Sequence, residues 1–240
     1  MSGQVALVFG GSRGIGAAIA RRLAADGFDV ALTYVSRADS ATDVVSAIEA
    51  VGGRGLAIEA DSADPAAIRR AVDTTVEALG PLDAVVANAG LLRHGPVESF
   101  GLDDLDRMLA VNVRGVFLAI QASIARMHDG GRVITIGSNT AIRTGSPGSS
   151  VYAMTKAAVA AMVKGIALDL APRRITVNNV QPGPTETDMT AAMAERLKEI
   201  VPLKRIGQPS EIAGLVSYLA GDESGYMTGA SLTVDGGYVL

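Results

Sequence analysis

Short apolar segments of strand length alternate along the chain with longer segments in which apolar residues recur every three or four positions. The first kind is typical of buried strands and the second of amphipathic helices. Seven segments are of the first kind: VALVF from Val5, VALTY from Val30, GLAIEA from Gly55, LDAVVAN from Leu82, RVITIGS from Arg132, ITVNNV from Ile175 and SLTVDGG from Ser231. Because strands that alternate with helices are joined by right-handed crossovers, the pattern predicts an α/β fold with a parallel seven-stranded sheet.

No linker or block of charge interrupts this alternation, which predicts a single domain over residues 1–240. One segment departs from it. Residues 183–208, GPTETDMTAAMAERLKEIVPLKRIGQ, separate two regular elements by an insertion that is unusually long for a compact domain. We expect this insertion to form a lid over a substrate site.

Composition and charge narrow the classes of protein. Hydrophobic residues make up 48% of the chain and aromatic residues only 4%, which suits a sheet covered on both faces by alanine-rich helices. The absence of cysteine excludes disulfides and thiolate metal sites, and His94 and His128 are isolated, so we expect no metal. The net charge of −4, with scattered basic pairs, gives no nucleic-acid footprint. The first apolar run is too short for a signal peptide and no run approaches membrane-spanning length, so we expect a soluble cytoplasmic protein without a membrane partner.

A glycine-rich turn lies between the first predicted strand and the first predicted helix, in VFGGSRGIGAAIARRL. Backbone N–H groups and a helix N-terminus would face an incoming anion there, and glycine lets a phosphate approach the chain closely. The spacing is G-x-x-x-G-x-G rather than G-x-G-x-x-G, and a turn without a ligand is the alternative. Its position favours nucleotide binding by the segment's Gly10, Ser12, Arg13, Gly14, Ile15 and Gly16.

The end of the second predicted strand bears on the choice of nucleotide. NAD-binding proteins often present an acid there to the ribose 2′-hydroxyl. This chain instead has Ser36 and Arg37, while Asp29 lies at the other end of the strand. A hydroxyl and a guanidinium, together with Arg13, would bind a 2′-phosphate through charge-assisted hydrogen bonds. The sequence therefore favours NADP(H) over NAD(H), the alternative being that Arg37 is a solvated loop charge.

Tyr152 and Lys156 are four residues apart in VYAMTKAAVAAM, which places them on one face of a predicted helix. They are either a surface pair or a proton donor tuned by a cation. A free phenol, with a pKa of about 10, is a sluggish base near neutral pH. A neighbouring cation would lower that pKa.

These segments occur in the order and at the spacing of a known family. They are GGSRGIG at 10–16, DSAD from Asp61, NAG at 88–90, VNVRG around Asn112, IGS ending at Ser138, YAMTK at 152–156 and QPGPTETDM from Gln181. With this set the chain resembles the short-chain dehydrogenase/reductase family over nearly its whole length. The resemblance implies a doubly wound Rossmann sheet with helices on both faces and hydride transfer between a nicotinamide cofactor and a carbonyl substrate.

The resemblance also implies roles for four catalytic residues. Tyr152 would be the acid/base, and Lys156 would stabilise its phenolate and hydrogen-bond the nicotinamide ribose. Ser138 would orient and polarise the substrate carbonyl. Asn112 would hold a water that relays protons to Lys156. From the residues alone, Ser138 could equally cap a strand end, and Asn112 could mark a kink or a buried hydrogen bond.

The remaining cofactor contacts follow from the same resemblance. Asp61 and Ser62 would lie near the adenine. The chain would pass close to the cofactor at Asn88, Ala89 and Gly90. The nicotinamide carboxamide would be held by Pro182, Gly183, Thr185 and Thr187, with Thr185 contributing backbone contacts.

The sequence departs from the family pattern at two places. Phe9 stands where the family commonly has a threonine, so a side-chain hydrogen bond that steadies the glycine turn is absent. The gap from Ser138 to Tyr152 is one residue longer than in many members, which makes Asn139, or the loop itself, a candidate substrate contact. Specificity is expected in Leu91–His94, in the Asn139–Ser150 loop and in the lid, whose Met189, Met193 and Leu197 could form an apolar wall.

Two functions fit these residues. The first is an NADPH-dependent carbonyl reductase that interconverts a ketone and a secondary alcohol, either as a 3-oxoacyl-thioester reductase, which the family resemblance also suggests, or as a reductase of small or cyclic ketones. The second is a nucleotide-binding regulator, because the chain is also similar to family members that bind cyclic-di-GMP in biofilm dispersal. Apolar side chains over much of the helices around Asn112–Met127 and Tyr152–Leu170 suggest, with the family, a homotetramer.

Overall fold

All seven predicted strands are present, and together they form one parallel sheet. The computed structural model describes residues 3–240, so the first two residues of the predicted domain lie outside the described residues. The strands are β1 (Gln4–Phe9), β2 (Phe28–Tyr34), β3 (Gly55–Glu59), β4 (Leu82–Ala87), β5 (Met127–Ile136), β6 (Thr176–Pro182) and β7 (Ser231–Val234). Their order is β3-β2-β1-β4-β5-β6-β7, and every neighbouring pair is parallel. The fold class expected from the sequence is confirmed.

Helices connect the strands and cover both faces of the sheet. Within residues 3–240 they are α1 (Gly14–Ala25), α2 (Ala38–Ala50), α3 (Pro65–Leu79), α4 (Leu102–Leu109), α5 (Val116–Ile124), α6 (Ser150–Leu170), α7 (Ala194–Ile200) and α8 (Pro209–Ala220). A π-helical turn, Ala110–Gly115, joins α4 to α5.

Side chains that alternate along the strands enter two separate cores. In β1, Leu7 and Phe9 face a core shared with α3, α5 and α6, whereas Ala6 and Val8 face a core shared with α1, α2 and α8. Period-two alternation of this kind requires that both faces of the strand be buried, which is why the run VALVF is apolar throughout. The order of the strands reverses direction between β1 and β4, and doubly wound sheets bind ligands beyond the carboxyl ends of the strands at such a point.

The predicted helix around Asn112–Met127 is wrong at its C-terminal end. Asn112 lies within helical structure, in the π-helical turn, but α5 ends at Ile124. Met127 already belongs to β5, where its backbone lies opposite Leu82 of β4. The chain turns at Ala125 and Arg126, and the Arg126 N–H donates to the Ser123 carbonyl.

Two helical segments are long and apolar enough to span a bilayer, contrary to the expectation that no run approaches that length. They are Leu102–Ile124 and Ser150–Arg173. Both carry core residues that pack on the sheet, Val116 and Ile120 in the first and Val163 in the second. Core helices of a globular fold commonly satisfy such a length and hydropathy test, so it is weak support for a membrane span.

The insertion at 183–208 is closed at its base by the backbone. Thr185 and Gly207 form an isolated parallel bridge, the Gly207 N–H donates to the Pro184 carbonyl, and the Glu186 N–H donates to the Gly207 carbonyl. Between these points the segment contains a short 3-10 turn and α7, none of whose residues is buried. This architecture suits a lid, and its role stays a prediction.

Candidate active site

The glycine turn is fixed by both of its neighbouring strands. Gly10 has φ +72°, and a Cβ there would lie 2.9 Å from the Cα of Ala89. Its N–H donates to the Thr33 hydroxyl at 2.9 Å, and its carbonyl accepts from the Asn88 amide at 2.7 Å. The structure thus brings the turn against the Asn88–Gly90 segment, as the resemblance implies.

The turn leads directly into α1, whose N-cap residue Arg13 makes no side-chain capping hydrogen bond. The first turn of α1 carries no acidic residue, so the positive end of the helix dipole is not neutralised by the chain itself. A Cβ on Gly16 would overlap the Gly10 carbonyl oxygen, which makes the tight approach of turn and helix dependent on glycine. Ser12 and Ile15 are partly exposed beside it.

Arg13 contacts the insertion rather than Ser36 or Arg37. Its guanidinium lies 3.5 Å from the carboxylate of Asp188, and both side chains are largely exposed. Next to this pair, a Cβ on Gly14 would lie 3.2 Å from Thr187. The start of the insertion therefore rests on the glycine turn.

Ser36 and Arg37 lie exposed where β2 gives way to α2, at the same edge of the sheet as the glycine turn. Arg37 adopts a left-handed backbone conformation, φ 61° and ψ 64°, which is uncommon for a residue with a side chain and clusters at functional sites. Asp29, by contrast, is buried at the far end of β2, where Arg54 donates to its carboxylate at 2.8 Å. Asp29 is thus a structural acid and unsuited to a ribose contact.

Asp61 and Ser62 follow β3 and contact α4 and the π-helical turn, respectively. Arg107 donates to one oxygen of Asp61 at 2.8 Å and the Ala63 N–H donates to the other at 2.9 Å. Burial raises the pKa of the Asp61 carboxyl, but these hydrogen bonds outweigh it, so the net shift is downward. Ser62 is buried, and its carbonyl occupies the space that a Cβ on Gly115 would fill.

Asn112 is completely buried and both of its polar atoms are engaged. Its Oδ1 accepts from the Leu91 N–H at 2.8 Å, and its Nδ2 donates to the Leu91 carbonyl at 2.8 Å and to the Thr155 hydroxyl at 3.1 Å. The π-helical turn re-aims the side chain at Leu91, and such turns are frequent at functional sites. A Cβ on Gly90 would lie 3.8 Å from Asn112 Oδ1 and 3.5 Å from Lys156 Nζ, so these three residues are neighbours.

Tyr152 and Lys156 lie one turn apart on α6. The ammonium nitrogen of Lys156 is 5.7 Å from the centre of the Tyr152 ring and donates to the Ile136 carbonyl at 2.8 Å. Burial lowers the pKa of Lys156 to about 8. Burial also raises the pKa of Tyr152 to about 12, although the Ser138 hydroxyl acts in the opposite direction. The expected lowering of the phenol pKa is therefore wrong for this geometry, because desolvation of the phenolate dominates.

Ser138 lies two residues after the end of β5 and does cap the 3-10 turn that follows. Its oxygen accepts from the Thr140 N–H at 3.2 Å and from the Thr140 hydroxyl at 2.9 Å. A hydroxyl that accepts two hydrogen bonds still has its own proton to donate. The capping role and a role toward a substrate carbonyl are therefore compatible.

Asn139 is not placed as a free substrate contact. It is buried, and its amide donates to the Asp235 carboxylate at 3.2 Å. That carboxylate also accepts from the backbone N–H groups of Gly237 and Val239. Asp235 in turn packs so closely on Gly183 that a side chain there would overlap it.

The segment from Pro182 to Thr187 follows β6 at the same edge of the sheet. The Gly183 N–H donates to the Val234 carbonyl at 2.9 Å, which extends the pairing with β7. The buried Thr185 hydroxyl donates back to the Gly183 carbonyl at 2.9 Å. Thr187 is partly exposed and faces Gly14 across the glycine turn.

Four contacts at this edge were not expected from the sequence. Thr33 supports the glycine turn, Arg107 holds Asp61, and Asp235 holds Asn139. Arg143 donates to the Tyr238 carbonyl at 2.7 Å and lies 5.6 Å from the centre of its ring. The DGG run at 235–237 is the one sequence signal that could have directed attention to the C-terminal segment.

The shape and charge of this edge fit a dinucleotide. The positive φ at Gly10, the close approach at Gly16 and the unneutralised start of α1 make a cradle for phosphate. Within residues 3–240, no group of three or more histidine, aspartate or glutamate side chains is arranged to hold a metal ion. The reactive groups at this edge are thus the hydroxyls of Ser138 and Tyr152 and the amine of Lys156.

The profile of a family described as "Enoyl-(Acyl carrier protein) reductase" matches residues 10–239. A solved short-chain dehydrogenase/reductase from Serratia marcescens BCRC 10948 is 54% identical, with a TM-score of 0.96, and the match covers 99% of this chain and 98% of that one. The chain belongs to the short-chain dehydrogenase/reductase family. It is therefore a member of a family of oxidoreductases with a Rossmann sheet.

Two further relatives of this family member bear on its ligand. A short chain dehydrogenase from Burkholderia cenocepacia J2315, solved in complex with NADP, is 48% identical with a TM-score of 0.96 and coverage of 99% and 98%. The cyclic-di-GMP-binding biofilm dispersal mediator protein of Escherichia coli (strain K12) is 40% identical over 240 residues, with coverage of 99% and 98%. Similarity to the Burkholderia cenocepacia protein in its NADP complex supports a nicotinamide cofactor as the ligand of the edge described above.

Proposed function

We propose that the protein is an NADPH-dependent carbonyl reductase in which Tyr152 donates a proton to the oxygen of a ketone. The observation that carries the proposal is the convergence of Asn112, Ser138, Tyr152 and Lys156 beside the glycine turn. A reduced nicotinamide supplies, when bound, the hydride for the carbonyl carbon.

The chain's own groups account for the proton and for the developing charge. With a raised pKa, the Tyr152 phenol is fully protonated at neutral pH and can act as an acid. The Ser138 hydroxyl, whose oxygen accepts from Thr140, can turn its O–H proton from Tyr152 to the carbonyl oxygen as that oxygen becomes negative. Lys156 is predominantly charged at pH 7, and its ammonium group stabilises the phenolate that remains after proton transfer.

Further donors position the cofactor and the chain around it. Lys156 uses one of its three N–H donors on Ile136, which leaves two for a ribose. The Asn112 side chain hydrogen-bonds both the N–H and the carbonyl of Leu91, which fixes the start of the Leu91–His94 segment. In this proposal the contacts of Asp61, Ser62 and the Pro182–Thr187 segment with adenine and carboxamide are those that the family implies.

Preference for NADPH over NADH is part of the proposal. The residues between β2 and α2 are Val35, Ser36 and Arg37, none of which is acidic, and Arg13 lies at the same edge of the sheet. We expect Arg37→Gln to weaken NADPH binding by about tenfold and to leave NADH binding within twofold, because the lost contact is a charge-assisted hydrogen bond to the 2′-phosphate. Fluorescence titration with both nucleotides measures this, and equal losses for both would contradict the assignment.

The reaction itself is tested by nicotinamide absorbance. Wild type and Tyr152→Phe are compared with NADPH against ketones, diketones, a 3-oxoacyl thioester and an enoyl thioester. Turnover of a ketone that collapses in the variant supports the proposal. Turnover of the enoyl thioester alone would instead assign reduction of a carbon–carbon double bond, in keeping with the name of the matched family profile.

A second candidate function is a regulator that binds cyclic-di-GMP. The observation that favours it is the similarity to the Escherichia coli dispersal mediator over nearly the whole of both chains. Calorimetric titration with the cyclic dinucleotide, with and without NADPH, tests this candidate against the carbonyl reductase. Binding that NADPH prevents would place both ligands at one site, and no binding well above micromolar concentrations would remove this candidate.

Assembly into a homotetramer also belongs to the proposal. α5 and α6 expose apolar side chains that the sheet does not cover: Phe117 is 43% exposed, Met154 46% and Leu168 78%. Light scattering gives the mass, and a monomer would contradict the proposal. Leu168→Glu should dissociate the assembly, whereas the control Val51→Glu, at an exposed site after α2, should not.

We further place the protein in the cytoplasm. A sequence without cysteine gives no sign of an oxidising compartment. Cell fractionation tests this placement, and recovery in an extracytoplasmic fraction would overturn it.

A further inference from the structure

The glycine turn lacks one internal support. Phe9, the residue before it, has no polar side-chain atom and is buried at 2% exposure in the core on the α3, α5 and α6 side. It fills space in that core, so it contributes packing but no hydrogen bond to the turn. The backbone donors that follow it must be satisfied from another element.

Thr33 on β2 provides that support. It is buried at 1% exposure, and its hydroxyl oxygen accepts from the Gly10 N–H at 2.9 Å. Its carbonyl accepts from the next N–H, that of Gly11, also at 2.9 Å. One residue of the neighbouring strand therefore holds two consecutive donors of the turn.

From these contacts we infer that Thr33 is a positioning residue that sets the shape of the phosphate cradle. Gly10 is held at φ +72° by its N–H on Thr33 and by its carbonyl on Asn88. Removal of the hydroxyl leaves a largely buried N–H without its partner, which is a penalty larger than the net value of an ordinary hydrogen bond. The turn relieves the penalty by rotating that peptide toward water, and this rotation moves the donors of the cradle.

The position of Thr33 in its strand gives this role a second consequence. β2 ends at Tyr34, and Ser36 and Arg37 follow after Val35. The strand that shapes the pyrophosphate cradle thus also carries the residues proposed for the 2′-phosphate. A substitution at Thr33 changes the pyrophosphate cradle. Its effect on affinity should therefore depend on whether the probe contains a pyrophosphate. This inference relies on the proposed function only in that the turn binds nucleotide phosphates.

The test uses Thr33→Val, which keeps the shape of the side chain and removes the hydroxyl. Thr33→Ser, which keeps the hydroxyl, is the first control. Thr75→Val is the second, because Thr75 is equally buried and its hydroxyl donates only to Ala71 within α3. The probes are 2′-phospho-ADP-ribose, which contains the pyrophosphate but no nicotinamide, and 2′,5′-ADP, which lacks the pyrophosphate.

We expect Thr33→Val to bind 2′-phospho-ADP-ribose about tenfold more weakly by calorimetry, as the loss of one buried hydrogen bond predicts. Binding of 2′,5′-ADP should change by less than about threefold, and both controls should bind like wild type. In turnover, KM for NADPH should rise while kcat at saturation and KM for the ketone stay unchanged. A merely structural role would affect Thr75→Val in the same way or lower kcat.

Amide hydrogen exchange in the protein without nucleotide is the measurement that separates this inference from the proposed function. Exchange at Gly10 should be at least tenfold faster in Thr33→Val than in wild type and Thr33→Ser. If wild type binds neither probe, the proposed function fails, and faster exchange at Gly10 still supports the role of Thr33. Unchanged exchange together with unchanged binding of 2′-phospho-ADP-ribose would overturn the inference and leave the proposed function standing.

A second pair of variants covers the case in which Thr33→Val does not fold. Thr33→Ser and Thr33→Cys differ only in oxygen or sulfur, and sulfur is a weak acceptor. Faster exchange at Gly10 and weaker binding of the pyrophosphate probe in the cysteine variant alone support the inference. Equal behaviour of the two variants would refute it.

Discussion

Two regions meet at the carboxyl edge of the sheet, and they are built differently. The first, the floor of the site, consists of Asn112, Ser138, Tyr152 and Lys156. Asn112, Ser138 and Lys156 are buried and their polar groups are paired with the backbone, whereas Tyr152 beside them is partly exposed. The second, the rim, consists of Leu91–His94, the Asn139–Ser150 loop and the insertion at 183–208. On the rim, Met189 is 48% exposed and Met193 38%.

The difference shows which properties the fold fixes. At the floor a displaced side chain would leave a buried donor or acceptor unpaired, so the fold itself enforces the geometry. At the rim few residues have such constraints, so side chains can change without cost to the fold. Chemistry should therefore be sensitive to floor substitutions and substrate preference to rim substitutions.

The largest effect is expected from Tyr152→Phe at the floor. Removal of the phenol eliminates the proposed proton donor, and kcat should fall by about a thousandfold, within the range of general acid catalysis. NADPH binding should stay within about threefold, because the ring and the glycine turn remain. Stopped-flow absorbance gives the rate and fluorescence titration the affinity. Retention of most of the activity would show that another group supplies the proton.

A smaller but still large effect is expected from Asn112→Leu. The substitution leaves the N–H and the carbonyl of Leu91 without their partner, so the free energy of unfolding should fall by about 2–4 kcal/mol. Urea denaturation measures the change. The comparison is Asn139→Leu, which removes a single side-chain hydrogen bond to Asp235. A loss below about 1 kcal/mol would mean that Leu91 finds water instead, and the floor would be less rigid than described.

An intermediate effect is expected from pH. Lys156 has a pKa of about 8, so its ammonium group loses its proton as pH rises through that value, while Tyr152 remains protonated. The rate of ketone reduction should be constant below about pH 8 and then fall by up to tenfold per pH unit. A pH–rate profile at saturating substrate checks this. A fall only above pH 10 would assign the titration to a tyrosine.

The Lys156 amine also makes the free energy of unfolding depend on pH. The pKa of Lys156 falls from 10.5 in the unfolded chain to about 8 in the folded one, so the unfolded state binds more protons between these values. This contribution to stability therefore rises with pH across that window. The difference between wild type and Lys156→Met in urea midpoint, measured at pH 7.5 and pH 10, isolates it.

The smallest effect is expected at the rim from Asp188→Asn. Its ion pair with Arg13 is exposed, so the free energy of unfolding should change by less than about 0.5 kcal/mol. Release of Arg13 should tighten NADPH binding by no more than about threefold. Asp104→Asn, which breaks the similarly exposed pair with Arg93, is the matched control. A large loss of stability in Asp188→Asn would place the insertion among the rigid parts of the fold.

The sheet could be predicted because its signal is local. Each strand carries its apolar residues in an unbroken run, as in VALVF, and the glycine turn can be identified from neighbours in sequence. The positions of Asp61, Asn88 and Pro182 after their strands follow from the same alternation. A parallel sheet brings such strand ends to one edge whatever their distance along the chain.

The contacts that support the site could not be predicted, because they join residues that are far apart in sequence. Thr33 and Gly10 are separated by 23 residues and Asn139 and Asp235 by 96, and no periodic pattern marks either pair. The pairing of Arg13 with Asp188 depends on how the insertion folds back. The raised pKa of Tyr152 depends on the desolvation that packing creates. These properties arise from tertiary structure alone.

The π-helical turn at Ala110–Gly115 determines how many residues must connect α4 to α5, as well as the direction of the Asn112 side chain. Successive residues of an α-helix are about 100° apart around the axis, so deletion of one residue in this turn would rotate all of α5 by about that angle. Val116 and Ile120 would leave the core, and Phe117 would turn away from solvent. Homologous sequences should thus accept substitutions along this helix far more readily than they accept a change in its number of residues.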